Sequence, residues 1–223
     1  DTLSPITPRL YSISSSPKSH PREVHITVAV VKYNNFERDR FGLATGDLSN
    51  RIEVNKTRIP VYIQPTKEFV IPDDSSKDII MIGPGTGIAP FRAFLQEREF
   101  RKAGGKNWLL FGDRNEATDY IYRDEIEAMQ ERGVITRLDL AFSRDQEEKI
   151  YVQDRMRENG EEMYAWLEQG GSFYVCGDAT YMAKDVDIAL HDIITQYGDK
   201  TAEQAVDYVN QLKKEKRYVR DVY

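Results

Sequence analysis

The sequence predicts an α/β fold, a doubly wound parallel sheet preceded by part of an antiparallel β-barrel. Three observations predict it. Up to Ser75 the apolar residues mark strands, whereas beyond it strand, loop and helix alternate. A glycine-rich run, Gly83-Pro84-Gly85-Thr86-Gly87, falls directly between a strand and a helix. The length of 223 residues suits one large domain or one and a half ordinary ones.

In the first part, Arg9 to Ser14 reads as a short extended segment and Glu23 to Tyr33 as a strand rich in β-branched residues. Arg58 to Gln64 is a third strand, closed by Pro65, and Leu43 to Ile52 forms a short helix after Gly42. Three strands are too few to close a barrel and hide its edges. Ile71 to Lys77 is a turn or linker, which divides the chain into 1–75 and 76–223. In the second part the strands are Asp78–Ile82, Asn107–Gly112, Val134–Phe142 and Ser172–Cys176. The helices are Ala89–Lys102, Tyr120–Glu131, Val152–Asn159, Glu161–Gln169, Tyr181–Tyr197 and Ala202–Lys214. On residue type alone the terminal Tyr223 is a frayed end.

Composition narrows the function. With 40% hydrophobic and 30% charged residues the chain is globular, neither collagen-like nor disordered. No apolar run approaches the roughly 18 residues that span a bilayer, and Asp1 to Leu10 hold no apolar signal-peptide core. A net charge of −6 argues against nucleic-acid binding. The lone Cys176 forbids an internal disulfide and suits a reducing compartment, the cytoplasm. His20, His25 and His191 form no metal constellation by spacing. Asp1 is not an initiator, so the start reads as a cut in a longer chain.

The strongest chemical signal is GPGTGIAPFR, Gly83 to Arg92. Glycines let the backbone approach an anion, and free N–H groups at a helix start hold it, so Gly83, Gly85, Thr86 and Gly87 read as a phosphate cradle. The third glycine of the usual dinucleotide fingerprint is replaced by Ile88, and no Lys follows for a P-loop. After the third sheet strand, Ser143, Arg144 and Lys149 supply a hydroxyl and two cations for a phosphate monoester, with Tyr151 offering a ring. The acids Asp145, Glu147 and Glu148 among them equally fit a solvated loop. An NAD-type acid belongs about 20 residues after the first glycine; Asp113 is the nearest, 30 positions after Gly83. Arg9, Tyr11 and Ser12 alone fit an amphipathic strand, and Cys176 fits a small buried apolar residue at the ligand-bearing end of a strand.

RLYS, GLAT, GPGTGIAPFR, SRD…KIYVQ, YVCGDA and the terminal RDVY follow one another in an order that resembles the ferredoxin–NADP⁺ reductase superfamily, within it the diflavin reductases, and among those the branch that serves sulfite-reducing haemoproteins. The resemblance covers essentially the whole chain. It implies that 1–75 is the C-terminal portion of an FAD-binding barrel and 76–223 an NADP(H)-binding domain. Arg9, Leu10, Tyr11, Ser12, Thr27, Val28, Ala29 and Tyr33 would line FAD, with Tyr11 stacked on its ring, and Gly42, Leu43, Ala44 and Thr45 would cradle its pyrophosphate. Gly83 to Gly87 would face NADPH. Ser143, Arg144, Lys149, Ile150, Tyr151, Val152 and Gln153 would take its adenosine 2′-phosphate and adenine, with Asp185 nearby. Ser12, Cys176 and Asp221 match the trio that aligns nicotinamide, and Tyr223 would cover the flavin and move aside, which overturns the frayed-end reading.

The implied activity is hydride transfer from NADPH to FAD. Electrons would continue through FMN, held in an N-terminal flavodoxin-like domain of the longer chain, to a haemoprotein partner that reduces sulfite for cysteine biosynthesis. Three departures stand out. Asp47 replaces a bulky aromatic near the flavin pyrophosphate, the upstream barrel strands and helical connecting domain are missing, and no FMN domain lies in these residues. Two rivals remain. A P450-type diflavin reductase usually ends near a Trp, where this chain has Tyr223. A nucleotide-binding module without catalysis would bind 2′-phosphoadenosine ligands and not retain flavin.

Overall fold

The structure, a computed structural model, describes residues 6–223. Its centre is a five-stranded sheet, parallel at every pairing. Before it stand a two-stranded hairpin, β1 (Lys32–Asn35) and β2 (Arg38–Phe41), and one helix, α1 (Leu43–Asn50). The sheet chain then runs β3 (Ile79–Ile82), α2 (Ile88–Phe100), β4 (Asn107–Asp113), α3 (Glu116–Asp119), α4 (Arg123–Glu131) and β5 (Arg137–Phe142). It continues through α5 (Val152–Glu158), α6 (Gly160–Glu168), β6 (Ser172–Gly177), α7 (Met182–Tyr197), α8 (Ala202–Lys214) and β7 (Tyr218–Val222).

The strand order β5-β4-β3-β6-β7 places the first sheet strand at the centre, with successive strands added on one side and then on the other. That order is doubly wound, and helices cover both faces. Because side chains alternate along a strand, Ile79 and Met81 face a cluster with Phe91, Leu95 and Met129, on the side of α2 and α4. Ile80 and Ile82 face the opposite cluster with Met156, Trp166, Leu190 and Val209, on the side of α5 to α8. All four residues of β3 are wholly buried, which explains its continuous apolar run.

The second part matches its predicted elements closely, with two corrections. The sheet has five strands, because Tyr218–Val222 pairs in parallel with β6. Its charged Arg220 and Asp221 disguise a half-covered edge strand. The helix predicted from Tyr120 starts only at Arg123, after Tyr122 at a left-handed φ of 60°, and the short α3 before it was not predicted.

The first part departs further. Arg58–Gln64 is not a strand: its residues are exposed and lie in no ladder, and Pro60 removes a donor. Arg9–Ser14 and the β-branched run from Glu23 meet only at one antiparallel bridge, Ile13 to Ile26, with the Ser14 N–H donating to the His25 carbonyl at 2.8 Å. Propensity for extended backbone becomes a sheet only when a neighbour completes its hydrogen bonds. No helix among the described residues is long and apolar enough to cross a membrane.

Candidate functional site

The carboxyl ends of β3 and β6 lie side by side at the point where strand order reverses, the position at which doubly wound sheets open a ligand crevice. The Gly83–Gly87 loop leaves β3 here. Gly85 adopts φ +56°, the left-handed region that favours glycine. Gly87 is needed for space, since a Cβ there would stand 2.1 Å from the Cys176 carbonyl oxygen. Gly87 then caps α2 with no side-chain cap and no acid in the first turn, which suits an anion, although the Ile88 N–H is already given to the Gly85 and Thr86 carbonyls and Pro90 has none. α1 repeats the device: Gly42 is its N-cap, without a side-chain cap, and its first turn is also free of acids. Thr45 is buried, and its Oγ1 accepts the Val31 N–H at 3.1 Å, tying α1 to the approach to β1. Asp47 pairs with Arg51 at 3.4 Å, which offsets its charge near that turn.

Strand register brings the sequence-distant trio together. Cys176 and Asp221 are direct partners across β6 and β7. Ser12, from the first part of the chain, donates its hydroxyl hydrogen to Asp221 Oδ2 at 2.9 Å. Burial pushes the Cys176 thiol up to about 12, the Asp221 charge acts in the same direction, and the Ser12 hydroxyl opposes it. Tyr223 is held rather than frayed: its N–H donates to the Gly177 carbonyl at 3.1 Å and its carbonyl accepts from Ala179 at 3.0 Å. Its hydroxyl lies 2.8 Å from Thr86 Oγ1, joining the chain terminus to the glycine loop. Burial raises the pKa of this phenol, while the Thr86 hydrogen bond works the other way.

The second cluster lies beyond β5. Asp145 is turned away from the cations, accepting from Asn115 Nδ2 at 2.9 Å and the Glu116 N–H at 2.8 Å. Among the described residues, Arg144 and Lys149 are exposed and in no ion pair, as a 2′-phosphate site requires. The Tyr151 ring is exposed, and Gln153 Nε2 reaches Asp185 Oδ2 at 3.5 Å. Ser143 and Ile150 are half-buried, whereas Val152 is a core side chain. On the flavin side Tyr11 and Val28 are half-buried, and Leu10, Ala29, Tyr33 and Leu43 are exposed. Arg9 is exposed and donates to Thr7 Oγ1 at 3.0 Å, and Ala44 is half-buried. These acid-free helix starts, unpaired cations and exposed rings fit a flavin and a phosphorylated dinucleotide.

Sequence reasoning missed the residues that hold the two parts together. Arg92, the last residue of the glycine-rich motif, donates to the Ser14 carbonyl at 2.7 Å and to Glu125 Oε2 at 2.8 Å. It also stacks over the Tyr122 ring at 4.8 Å, while Tyr122 Oη lies 2.8 Å from Thr27 Oγ1. Its guanidinium one turn into the helix that follows the glycine loop was the available signal. The structure also gathers His20, Glu23 and His25, a cluster that spacing did not suggest. Arg92 Nη1 lies 3.1 Å from His25 Nδ1 and can only donate, so His25 Nε2 carries the hydrogen given to Glu23 at 2.9 Å. That leaves no free His25 lone pair for a metal.

Comparison with known proteins agrees with this geometry. Residues 1–46 match the FAD binding domain family and residues 81–188 the Oxidoreductase NAD-binding domain family. The chain is 50% identical over all 223 residues to the Sulfite reductase (NADPH) flavoprotein alpha-component of Mannheimia succiniciproducens, covering 37% of that protein. The protein of that name from Photorhabdus laumondii is 51% identical over 223 residues, again with 37% of its length covered. That from Aliivibrio fischeri is 50% identical over 98% of this chain and 36% of its own length. The chain therefore spans little more than a third of these close homologues, and it corresponds to their C-terminal part.

Proposed function

We propose, from that homology and the site it accompanies, that this chain carries the FAD and NADPH sites of a sulfite reductase flavoprotein, with 1–75 serving the flavin and 76–223 the nicotinamide dinucleotide. When bound, NADPH supplies a hydride and FAD accepts it. The chain's residues hold the two rings in register and control protons around them. Ser12 donates its hydroxyl hydrogen to Asp221, which fixes that carboxylate beside the reacting rings. Cys176 retains its thiol proton at neutral pH, a small polarizable wall with a hydrogen to offer. Thr86 and Tyr223 hold the terminal ring over the glycine loop, where its displacement would admit nicotinamide. Arg144 and Lys149 would select the 2′-phosphate, with Tyr151 against adenine.

In the longer protein, electrons would pass to an FMN domain and then to a haemoprotein that reduces sulfite. A cytoplasmic setting suits the free thiol. The observation that carries this reading is the Ser12–Asp221 hydrogen bond, because it joins the two cofactor regions at Cys176. Stopped-flow reduction of the full-length protein's flavin by NADPH tests it. The Ser12→Ala protein should reduce about 10- to 100-fold more slowly, the loss of one hydrogen bond to a charged group. Failure of the unaltered protein to reduce its flavin would overturn the whole reading.

A further inference from the structure

Asp113 ends β4 between the two phosphate-binding loops. A Cβ built on Gly85 would meet one atom within 4 Å, Asp113 Oδ2 at 3.7 Å. On its other side, the Asp113 carbonyl accepts the Ser143 N–H at 2.9 Å and the Ser143 hydroxyl at 3.3 Å, and the Arg114 carbonyl accepts the Arg144 N–H at 2.8 Å. A carboxylate is therefore built into the floor of a crevice otherwise arranged for anions. The proposed function does not use it, and although it ends the second sheet strand, its 30 positions from Gly83 exceed the roughly 20 of an NAD-type acid.

Resting on the NADPH reading above, we propose that Asp113 couples dinucleotide binding to proton uptake: a pyrophosphate settling on Gly85–Gly87 lies against its carboxylate, which takes a proton from solvent. The groups around Asp113 favour this. Arg114 follows it, and the Arg114 N–H donates to Oδ1 at 2.8 Å; Asp119 faces it from α3; the Gly83–Gly87 loop brings no charged side chain. Burial already holds the carboxyl above its ordinary 3.8, with Asp119 adding and Arg114 opposing. Added phosphate charge raises it further, so the bound state holds more proton than the free state. Affinity consequently falls as pH rises through the interval between the two values.

Titration calorimetry of the full-length protein with NADP⁺, in pairs of buffers of different ionisation enthalpy across pH 5.5 to 8, counts the protons taken up. The ligand's own 2′-phosphate titrates in this range and contributes equally to each variant, so the difference between variants belongs to Asp113. The unaltered protein should take up more protons than Asp113→Asn, by up to one per site, and Asp113→Glu should restore the uptake. At pH 8 Asp113→Asn should bind NADP⁺ on the order of 5-fold more tightly. Equal proton counts and equal pH slopes in the two proteins would overturn the role of Asp113 while leaving the dinucleotide site standing. Absence of NADP⁺ binding to either protein would overturn the NADPH reading and this inference with it.

Discussion

The sheet and the segment before it obey the same chemistry with opposite results. From Ile79 onward, apolar strands are sealed on both faces by helices, and Ile80, Trp108, Leu110 and Phe173 are wholly buried. Between Val24 and Ile63 equally apolar residues, among them Val30, Val31, Val61 and Ile63, stand exposed. Hydrophobic composition therefore does not distinguish the two; the presence of covering elements does. The contacts from residues 12–27 are polar instead: Ser12 to Asp221, Ser14 to Arg92, Ser16 Oγ to Glu97 at 2.6 Å, and Thr27 to Tyr122, whereas Phe69, nearer the sheet, packs on Phe91 and Tyr174. That seam is where the candidate chemistry lies, because a ligand crevice needs polar groups and two separately positioned walls.

The most severe way to break this contrast is a pair of truncations. Trp108 packs edge-on against Trp166 at 5.2 Å and donates to Asp139 at 2.6 Å. Trp108→Ala should cost about 3–5 kcal/mol in urea unfolding. Ile63→Ala, at a residue 66% exposed, should stay within about 0.5 kcal/mol. Comparable losses would show that the first segment is buried in solution after all.

A smaller effect sharpens the functional side. Arg144→Ala should raise the KM for NADPH about 10- to 100-fold, from roughly 1.5–3 kcal/mol of lost phosphate contact. The KM for NADH should be nearly unchanged, and equal changes for both cofactors would remove the 2′-phosphate assignment.

The smallest effect concerns pH. Cys176 is held up to about 12 against an ordinary 9.0, so the folded state keeps its proton longer than the unfolded state. Its contribution is complete below the unfolded value and is lost as pH climbs from about 9 through about 12. Cys176→Ala should thus lose less stability than the unaltered protein between pH 9 and 11, measured by denaturant midpoints. Identical alkaline losses in the two proteins would show that the thiol is not sealed by the sheet.

Much of the second region was legible because its local signals agree. The run Ile79–Ile82, the glycine loop and α2 are consecutive, and α8 spans Ala202–Lys214 as predicted, with Thr201 and Gln204 forming a capping box at its start. The misses share one physical cause, dependence on a distant partner. Tyr218–Val222 is a strand because β6 is there to receive it, and Arg58–Gln64 is not because nothing pairs with it. The hairpin turn at Phe36 and Glu37 uses left-handed φ values of 51° and 58° without the glycine that would announce it.

The sequence by itself determined the doubly wound class, the glycine loop between β3 and α2 and the residue types available for chemistry. Those follow from periodicity, glycine and charge within short windows of chain. Only the tertiary structure decided that Ser12 meets Asp221 across 209 positions, that Arg92 clamps the first segment, and that Asp113 lies against Gly85. Such meetings depend on strand order and register, which arise when the whole sheet buries both faces together, and no local window contains that information.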